Sequence, residues 1–315
     1  MTPAETVNQT YVRKYEALYQ AKPASLIDIV HRFHSEDVCR EYLVKLRWPG
    51  GVCCVRCGSC SVSAISTRDQ FDCNDCRHRF SVTSGTIFDN TKLPLWKWFA
   101  ATYLMLEGKK GISANQLKRT IGVSYKTAWF LCHRIREAMG TDTADRLTGI
   151  IEVDETWIGG KQPGVGKGQS TNKVAVVGAI ERGGKIRLQV IKARDRRTLH
   201  GWIKKNLDDA TEAIYTDDWP PYVGIADDDT RHETVNHSAK EWVRGLVHTN
   251  GIENIWSLLK RSIIGSFHHV SKKHLDAYLD ELEFRFNNRK NPHMFRDLMV
   301  RLLDGTALRY EKLTA

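Results

Sequence analysis

The stretch IIEVD at residues 150–154 is an apolar run that predicts a strand with an aspartate, Asp154, near its end. A second run of this form, AIYTD at residues 213–217, ends at Asp217. A third acidic residue, Glu253, opens a later helix-like stretch. Two strand-borne aspartates and a helix-borne glutamate can converge into one carboxylate cluster, which is the kind of site that holds Mg²⁺. Two such ions can activate an oxygen nucleophile at a phosphodiester and stabilise the leaving oxygen.

Each of these acidic residues also has a purely structural interpretation. Asp154 could be an ordinary strand-edge residue, and Asp218, directly after Asp217, could be the metal ligand in its place. Glu253 could close a capping box over residues 250–253, in which its carboxylate would bond back to the start of the helix.

A basic residue follows the glutamate on the same predicted helix. Lys260 comes seven residues after Glu253, which is nearly two helical turns, so both side chains lie on one face. A lysine at this position can contact a DNA phosphate near the cleaved bond, and Arg261 adds positive charge beside it. Trp256, between them, is expected to pack in the core rather than stack on a base.

The order of the surrounding elements predicts an α/β (α+β) domain of the RNase H-like class. In that fold the first and fourth strands are neighbours, so Asp154 and Asp217 are expected side by side. The predicted strands cover 150–158, 173–180, 185–193, 213–217 and 232–236, and the predicted helices cover 197–207, 251–264 and 272–287.

Cysteines with the spacing C-x2-C-x15-C-x2-C predict a zinc site ahead of this domain. Each CxxC pair places two thiolates on one tight turn, and two such turns can close a tetrahedral Zn²⁺ site. The short β-like runs nearby favour a zinc ribbon over a redox motif. The expected ligands are Cys54, Cys57, Cys73 and Cys76, although Cys57 and Cys60 also form a CxxC and could be the first pair.

Residues 93–140 are predicted to be helical and contain the pattern of a helix-turn-helix. A short helix capped by Ser113 is followed by a glycine-bearing turn and a longer helix from Tyr125. The alternative is a plain helical hairpin that supports the core. The second helix is expected to expose a DNA-contacting set of Tyr125, Lys126, Thr127, His133, Arg134 and Arg136.

The charge of the chain favours a polyanionic partner, because the formal net charge is +10. A glycine-rich basic loop at 159–168 includes Lys161, a further expected DNA contact. The longest apolar stretch, 96–106, is too short to span a bilayer. We therefore expect a cytoplasmic protein associated with the nucleoid, with no membrane partner.

Several blocks of the sequence resemble the signature of DDE-type transposases of prokaryotic insertion sequences. The resemblance is strongest to the group with an N-terminal zinc ribbon and an acidic triad followed by lysine. It extends over roughly residues 35 to 300 and is carried by residues 154–161, 215–219, 248–261, 267–274 and 284–287.

The resemblance implies an RNase H-like catalytic domain that uses two Mg²⁺ or Mn²⁺ ions to cut and rejoin DNA. It assigns catalytic roles to Asp154, Asp217, Glu253 and Lys260, and structural Zn²⁺ to the four cysteines. The implied partners are double-stranded DNA, at element ends and at the target, and further copies of the chain in a synaptic dimer or larger assembly. A non-catalytic DNA-binding relative and a structure-specific nuclease are the alternatives.

The resulting domain prediction has five parts. They are an N-terminal helical segment (1–50), a zinc ribbon (51–92), a helix-turn-helix-like DNA-binding region (93–148), the catalytic domain (149–300) and a C-terminal tail (301–315).

Overall fold

A computed structural model describes residues 25–140, 146–160, 173–226, 230–236, 239 and 241–315. These residues form two compact units. Unit 1 contains the described residues up to 108 together with 112–139 and 290–315, and unit 2 contains 109–111 and the described residues of 140–289. Across the described residues, no helix is both long enough and apolar enough to cross a membrane.

Unit 1 combines a small antiparallel sheet with seven helices among its described residues. The sheet has the order β1-β2-β3, with β1 Val62–Ile65, β2 Gln70–Cys73 and β3 Arg79–Phe80. Five of the helices precede unit 2 in the chain: α1 Leu26–Arg32, α2 Glu36–Arg47, α3 Leu95–Glu107, α4 Ala114–Ile121 and α5 Tyr125–Met139. The other two follow the three helices of unit 2 and are therefore numbered α9 Met294–Asp304 and α10 Tyr310–Thr314.

Helices α4 and α5 form the predicted helix-turn-helix arrangement. Ser113 caps α4 by accepting a hydrogen bond from the Gln116 amide, and Ser124 accepts one from the Thr127 amide at the start of α5. Between the two helices, Gly122 has a left-handed backbone with φ of 62°, a conformation that glycine adopts without steric cost. The predicted boundary at Tyr125 is confirmed.

The predicted exposed face of α5 is partly wrong. Tyr125 is 48% exposed, but His133, Arg134 and Arg136 are buried, with no more than 5% of each residue accessible. The helix turns these residues toward the interior of unit 1, where basic side chains need partners. Arg134 and Arg136 therefore cannot serve as the exposed phosphate contacts that the sequence suggested.

Arg134 instead ties α5 to the segment that precedes α3. Its guanidinium donates hydrogen bonds to the backbone carbonyls of Ile87 and Asp89, and it lies 4.8 Å from the centre of the Trp98 ring. Burial lowers the pKa of Arg134 to about 10, which still leaves it charged at neutral pH. Its role in the structure is a cross-link within the core.

Unit 2 contains a five-stranded mixed sheet in the order β6-β5-β4-β7-β8. Strands β4, β5 and β6 form an antiparallel meander, whereas β7 and β8 run parallel to β4. This is the RNase H-like strand order, which confirms the predicted fold class. The strands are β4 Leu147–Ile158, β5 Val174–Glu181, β6 Ile186–Ile191, β7 Leu207–Asp217 and β8 Arg231–Val235.

Helices cover both faces of this sheet. Helix α6 (Arg196–Asn206) packs on one face, where Leu199 and Trp202 join Val153 in an apolar cluster. Helices α7 (Asn250–Ser262) and α8 (Leu275–Asn287) supply a second cluster. Alternate residues of β4 point to opposite faces, so one strand contributes to both cores.

Replacing Arg134 with alanine is expected to destabilise the protein, because one buried and one partly buried carbonyl would lose their donor and Trp98 would lose a packing partner. We expect a loss of about 2–4 kcal/mol in the free energy of unfolding, measured by chemical denaturation. The matched control is Arg119→Ala, which removes an exposed arginine of α4. Equal stability of the two variants would contradict this role.

Candidate active site and zinc centre

The two strand-borne aspartates lie on neighbouring parallel strands. Ile151 of β4 pairs with Ile214 of β7, and Glu152 pairs with Tyr215. The predicted pairing of these two strands is confirmed, and Asp154 and Asp217 each lie two residues beyond the last of these pairs. Asp217 is the last residue of β7, which puts both side chains at the carboxyl-terminal edge of the parallel pair.

The third acidic residue, Glu253, is near enough to act on Asp154. The pKa of Asp154 is raised to about 6, chiefly by burial, and the negative charges of Asp217 and Glu253 raise it further. The side chain of Asp218 instead accepts a hydrogen bond of 3.1 Å from Asn236. The electrostatic coupling thus favours Asp217 over Asp218 as the partner of Asp154.

A tryptophan connects the glutamate-bearing helix to the sheet. The Trp256 indole nitrogen donates a hydrogen bond of 2.9 Å to the Asp154 carboxylate. Gly178 lies opposite Asp154 in β5, and a Cβ at this position would lie 2.4 Å from the indole ring. The absence of a side chain at Gly178 lets the indole lie on the sheet. Trp256 is 4% exposed, so its predicted core packing is confirmed.

The basic residues predicted beside the site have different positions. Lys260 is exposed two turns after Glu253 and lines a cavity of about 770 Å³. Arg261 is also exposed, and its side chain donates to the carbonyl of Ser257. Lys161 lies outside the described residues.

Four cysteines of unit 1 form a compact group of potential metal ligands. The sulfur atoms of Cys54, Cys57, Cys73 and Cys76 all lie within 4.8 Å of one another. The sulfur atoms of Cys54 and Cys76 are 3.6 Å apart, and those of Cys57 and Cys73 are 3.5 Å apart. Both distances are close to the ~3.8 Å between ligands of a tetrahedral Zn²⁺ ion with bonds of about 2.3 Å. The donor set therefore fits a structural zinc ion.

The alternative ligand pair is wrong. Cys60 is joined to Cys53 by a disulfide and is not part of the four-sulfur group. Among the residues that the structure describes, no other set of three or more side chains is gathered closely enough to hold a metal. Asp154, Asp217 and Glu253 therefore do not form a group as compact as that of the four cysteines.

Two family models match the chain. Residues 146–287 match the ISXO2-like transposase domain, and residues 34–79 match the transposase zinc-ribbon domain. The chain therefore contains a transposase domain and a transposase zinc ribbon. The two matched segments contain the sheet with its acidic residues and the four-cysteine group, respectively.

Curated relatives of this transposase come from an archaeon and a bacterium. An uncharacterized protein in transposable element ISH50 of Halobacterium salinarum is 29% identical over 276 residues, which cover 81% of this chain and 92% of that protein. An uncharacterized transposase-like protein of Haemophilus influenzae is 35% identical over 75 residues, which cover 24% of this chain and 59% of that protein.

Solved structures with a weaker likeness include the Mos1 strand transfer complex and a pre-cleavage Mos1 transpososome. The first has a TM-score of 0.29 at 13% identity and covers 67% of this chain and 79% of the Mos1 chain. The second has a TM-score of 0.25 at 13% identity, and the match covers 90% of this chain and 98% of the Mos1 chain. The fold class of this transposase is assigned from its own strand order.

A buried glutamate that the sequence analysis did not single out holds the start of α7. Glu152 is 1% exposed and accepts hydrogen bonds from the amides of Gly251 and Ile252, at 2.6 Å and 3.2 Å. Thr249 precedes the helix without capping it through its side chain. A carboxylate from β4 thus satisfies the amides that a local cap would otherwise take.

The capping-box interpretation of Glu253 is wrong by one residue. Because the helix begins at Asn250, Glu253 is its fourth residue, whereas a capping box needs the third. The Glu253 carboxylate accepts a hydrogen bond of 3.1 Å from the Thr249 hydroxyl.

Glu152 has two further partners. Arg182 donates to its carboxylate at 2.9 Å, and His248 Nδ1 lies 3.3 Å away. Arg182 in turn lies 4.8 Å from the centre of the Tyr215 ring. The sequence did contain a signal for Glu152. It is a glutamate inside an apolar strand, and it lies two residues before Asp154, so the two side chains share one face of the strand.

Zinc should be lost when a ligand of the cysteine group is removed. We expect Cys73→Ser to reduce the zinc content of purified protein, because three thiolates bind Zn²⁺ less tightly than four. Cys60→Ser is the matched control and should retain zinc, because Cys60 lies outside the group. Elemental analysis measures both, and zinc loss from the control alone would reverse the ligand assignment.

Removal of the Glu152 carboxylate should loosen α7. The variant Glu152→Ala leaves Arg182 without its carboxylate and two helix amides without an acceptor. We expect a loss of about 2–4 kcal/mol in the free energy of unfolding, measured by chemical denaturation. Glu212→Ala, at an exposed position of β7, is the control and should change little. A loss no larger than that of the control would refute the anchoring role.

Proposed function

We propose that this transposase cuts the ends of its insertion sequence and joins them to target DNA with Asp154, Asp217 and Glu253 as its metal-binding triad. The parallel pairing of β4 with β7, the strands that carry Asp154 and Asp217, supports this proposal. Glu253 is supported by its position on α7, whose Trp256 bonds to Asp154. The two other acidic candidates serve different purposes, because Glu152 caps α7 and Asp218 binds Asn236.

The chemistry of the donor set fits Mg²⁺ or Mn²⁺. Carboxylate oxygens are the ligands that these hard cations prefer. When bound, two ions would supply an activated water and neutralise charge on the phosphodiester. Asp154, with a pKa of about 6, carries a negative charge at neutral pH, and its coupling to two other carboxylates favours the uptake of cations.

Other side chains are proposed to hold DNA. Lys260, exposed two turns after Glu253, would bind a phosphate near the cut, with Arg261 adding charge. In unit 1, the first turn of α5 would contact DNA through Tyr125, Lys126 and Thr127, because helix N-termini favour phosphate oxygens.

The assembly implied by this reaction contains DNA and several copies of the chain. Two element ends must be brought together for joining, so we propose a dimer or a larger synaptic complex. The net charge of +10 supports the binding of double-stranded DNA at element ends and at the target. The same properties suit a protein that acts in the cytoplasm on nucleoid DNA.

The variant Asp217→Asn should abolish Mg²⁺-dependent cleavage and joining of element-end DNA. We expect rates to fall about 10²-fold to 10⁴-fold, the equivalent of the several kcal/mol that a bound ion contributes. The measurement follows labelled duplexes taken from the DNA that flanks the coding sequence, with and without Mg²⁺.

The neighbouring variant Asp218→Asn is the matched control and should keep near-normal rates. If Asp218→Asn loses activity and Asp217→Asn retains it, the ligand assignment is wrong. Nicking by the unaltered protein without any strand joining would identify a nuclease instead of a transposase.

A further inference from the structure

Each strand-borne aspartate is followed by a tryptophan whose role remains unassigned. Trp157 comes three residues after Asp154, and Trp219 comes two residues after Asp217. The two indoles are connected by one arginine. The guanidinium carbon of Arg194 lies 5.5 Å from the centre of the Trp157 ring and 4.1 Å from the centre of the Trp219 ring.

Contacts with neighbouring residues hold Trp157 and Trp219 in place. Arg194 is fixed by an ion pair of 3.4 Å with Glu155, a buried residue on the same face of β4 as Trp157. Trp219 packs against the apolar cluster beneath α6. Because the arginine is anchored and Trp219 is packed, the Trp157 ring is pre-organised and loses little freedom on binding a ligand.

Trp157 remains open to a ligand. It is 48% exposed, whereas most large apolar residues of the sheet are buried. It also lines the cavity of about 770 Å³ to which Lys260 contributes. The same cavity is lined by Lys272 and by His268 and His269, so positive and titratable groups surround a partly apolar surface.

The chemistry of this surface fits one class of ligand. A flat aromatic group can stack on Trp157, and an attached anion can be neutralised by Lys260 and Lys272. An apolar protein segment would use the ring but leave both lysines without a counter-charge. A nucleotide within a DNA strand satisfies both requirements, because its base has a π-face and its phosphate is negative.

We propose that Trp157 stacks on an unstacked nucleobase of the DNA strand beside the cleavage site, with the adjoining phosphate on Lys260 and Lys272. This inference rests on the proposed function and adds a specific contact to it. Arg194 and Trp219 act as positioning residues, because they hold the Trp157 ring and do not themselves touch the base. Lys260 lines the same cavity as Trp157 and is the residue proposed to bind a phosphate near the cut, which links this contact to the cleavage site.

The test is a double-mutant cycle between protein and DNA. Element-end duplexes are made with a single abasic site at each position around the cut, and binding affinity is measured without divalent metal. On intact DNA, Trp157→Ala should weaken binding about 10-fold to 100-fold, the range measured for loss of one stacked base. On DNA lacking the contacted base, the same substitution should have almost no effect, because the partner is already absent.

Two further variants separate stacking from damage to the fold. Trp157→Phe should retain most of the affinity, because phenylalanine still offers an aromatic face. Trp242→Ala removes another exposed tryptophan of unit 2, outside the cavity, and its effect should be the same on intact and abasic DNA.

Three outcomes would overturn the inference. If Trp157→Ala binds intact DNA as tightly as the unaltered protein, Trp157 does not contact a base. If Trp157→Ala weakens binding equally whichever base is missing from the DNA, the loss of affinity is not due to stacking. If the unaltered protein binds no element-end DNA, the proposed function fails and this inference fails with it, whereas the first two outcomes leave the proposed function intact.

Discussion

The parallel pairing of β4 with β7 is the constraint on which the candidate active site depends. It brings together Asp154 and Asp217, which are far apart in the chain, at one edge of the sheet. Successive side chains of a strand point to opposite faces, so a shift of one residue would move Asp154 into the α6-side core. Ile151 and Val153, which alternate with the acidic residues on β4, oppose such a shift, because it would remove both from the apolar cluster beneath α6.

A second constraint holds the glutamate-bearing helix in position. Glu152 binds the first amides of α7, and one turn past Glu253 the Trp256 indole bonds to Asp154. Glu152 and Asp154 lie two residues apart on one strand, so both contacts fix the helix to the same short segment. Glu253 lies between these two contacts in the sequence of α7, so both restrain the helical turn that carries it.

Much of this arrangement was predictable from the sequence, because it depends on local patterns. The strand at IIEVD, the helix after Ser113 and the CxxC pairs each combine a periodicity with a capping, turn or ligand residue. The fold class followed from the order of these elements. The predicted exposure of Arg134 and Arg136 was wrong, because it assumed that basic residues in a helix are exposed, as they usually are. A local pattern cannot reveal a carbonyl elsewhere in the chain that accepts a hydrogen bond from Arg134.

The sequence alone determined the element order and the cysteine spacing, and it indicated three acidic residues as candidates, because these are properties of short segments. Only the tertiary structure decided which acidic residue does which task. Glu152, Asp154 and Glu155 are consecutive or nearly so, yet one caps a helix, one faces two other carboxylates and one holds Arg194. The physical reason is that a carboxylate takes its role from the groups that surround it in space, and these come from distant parts of the chain.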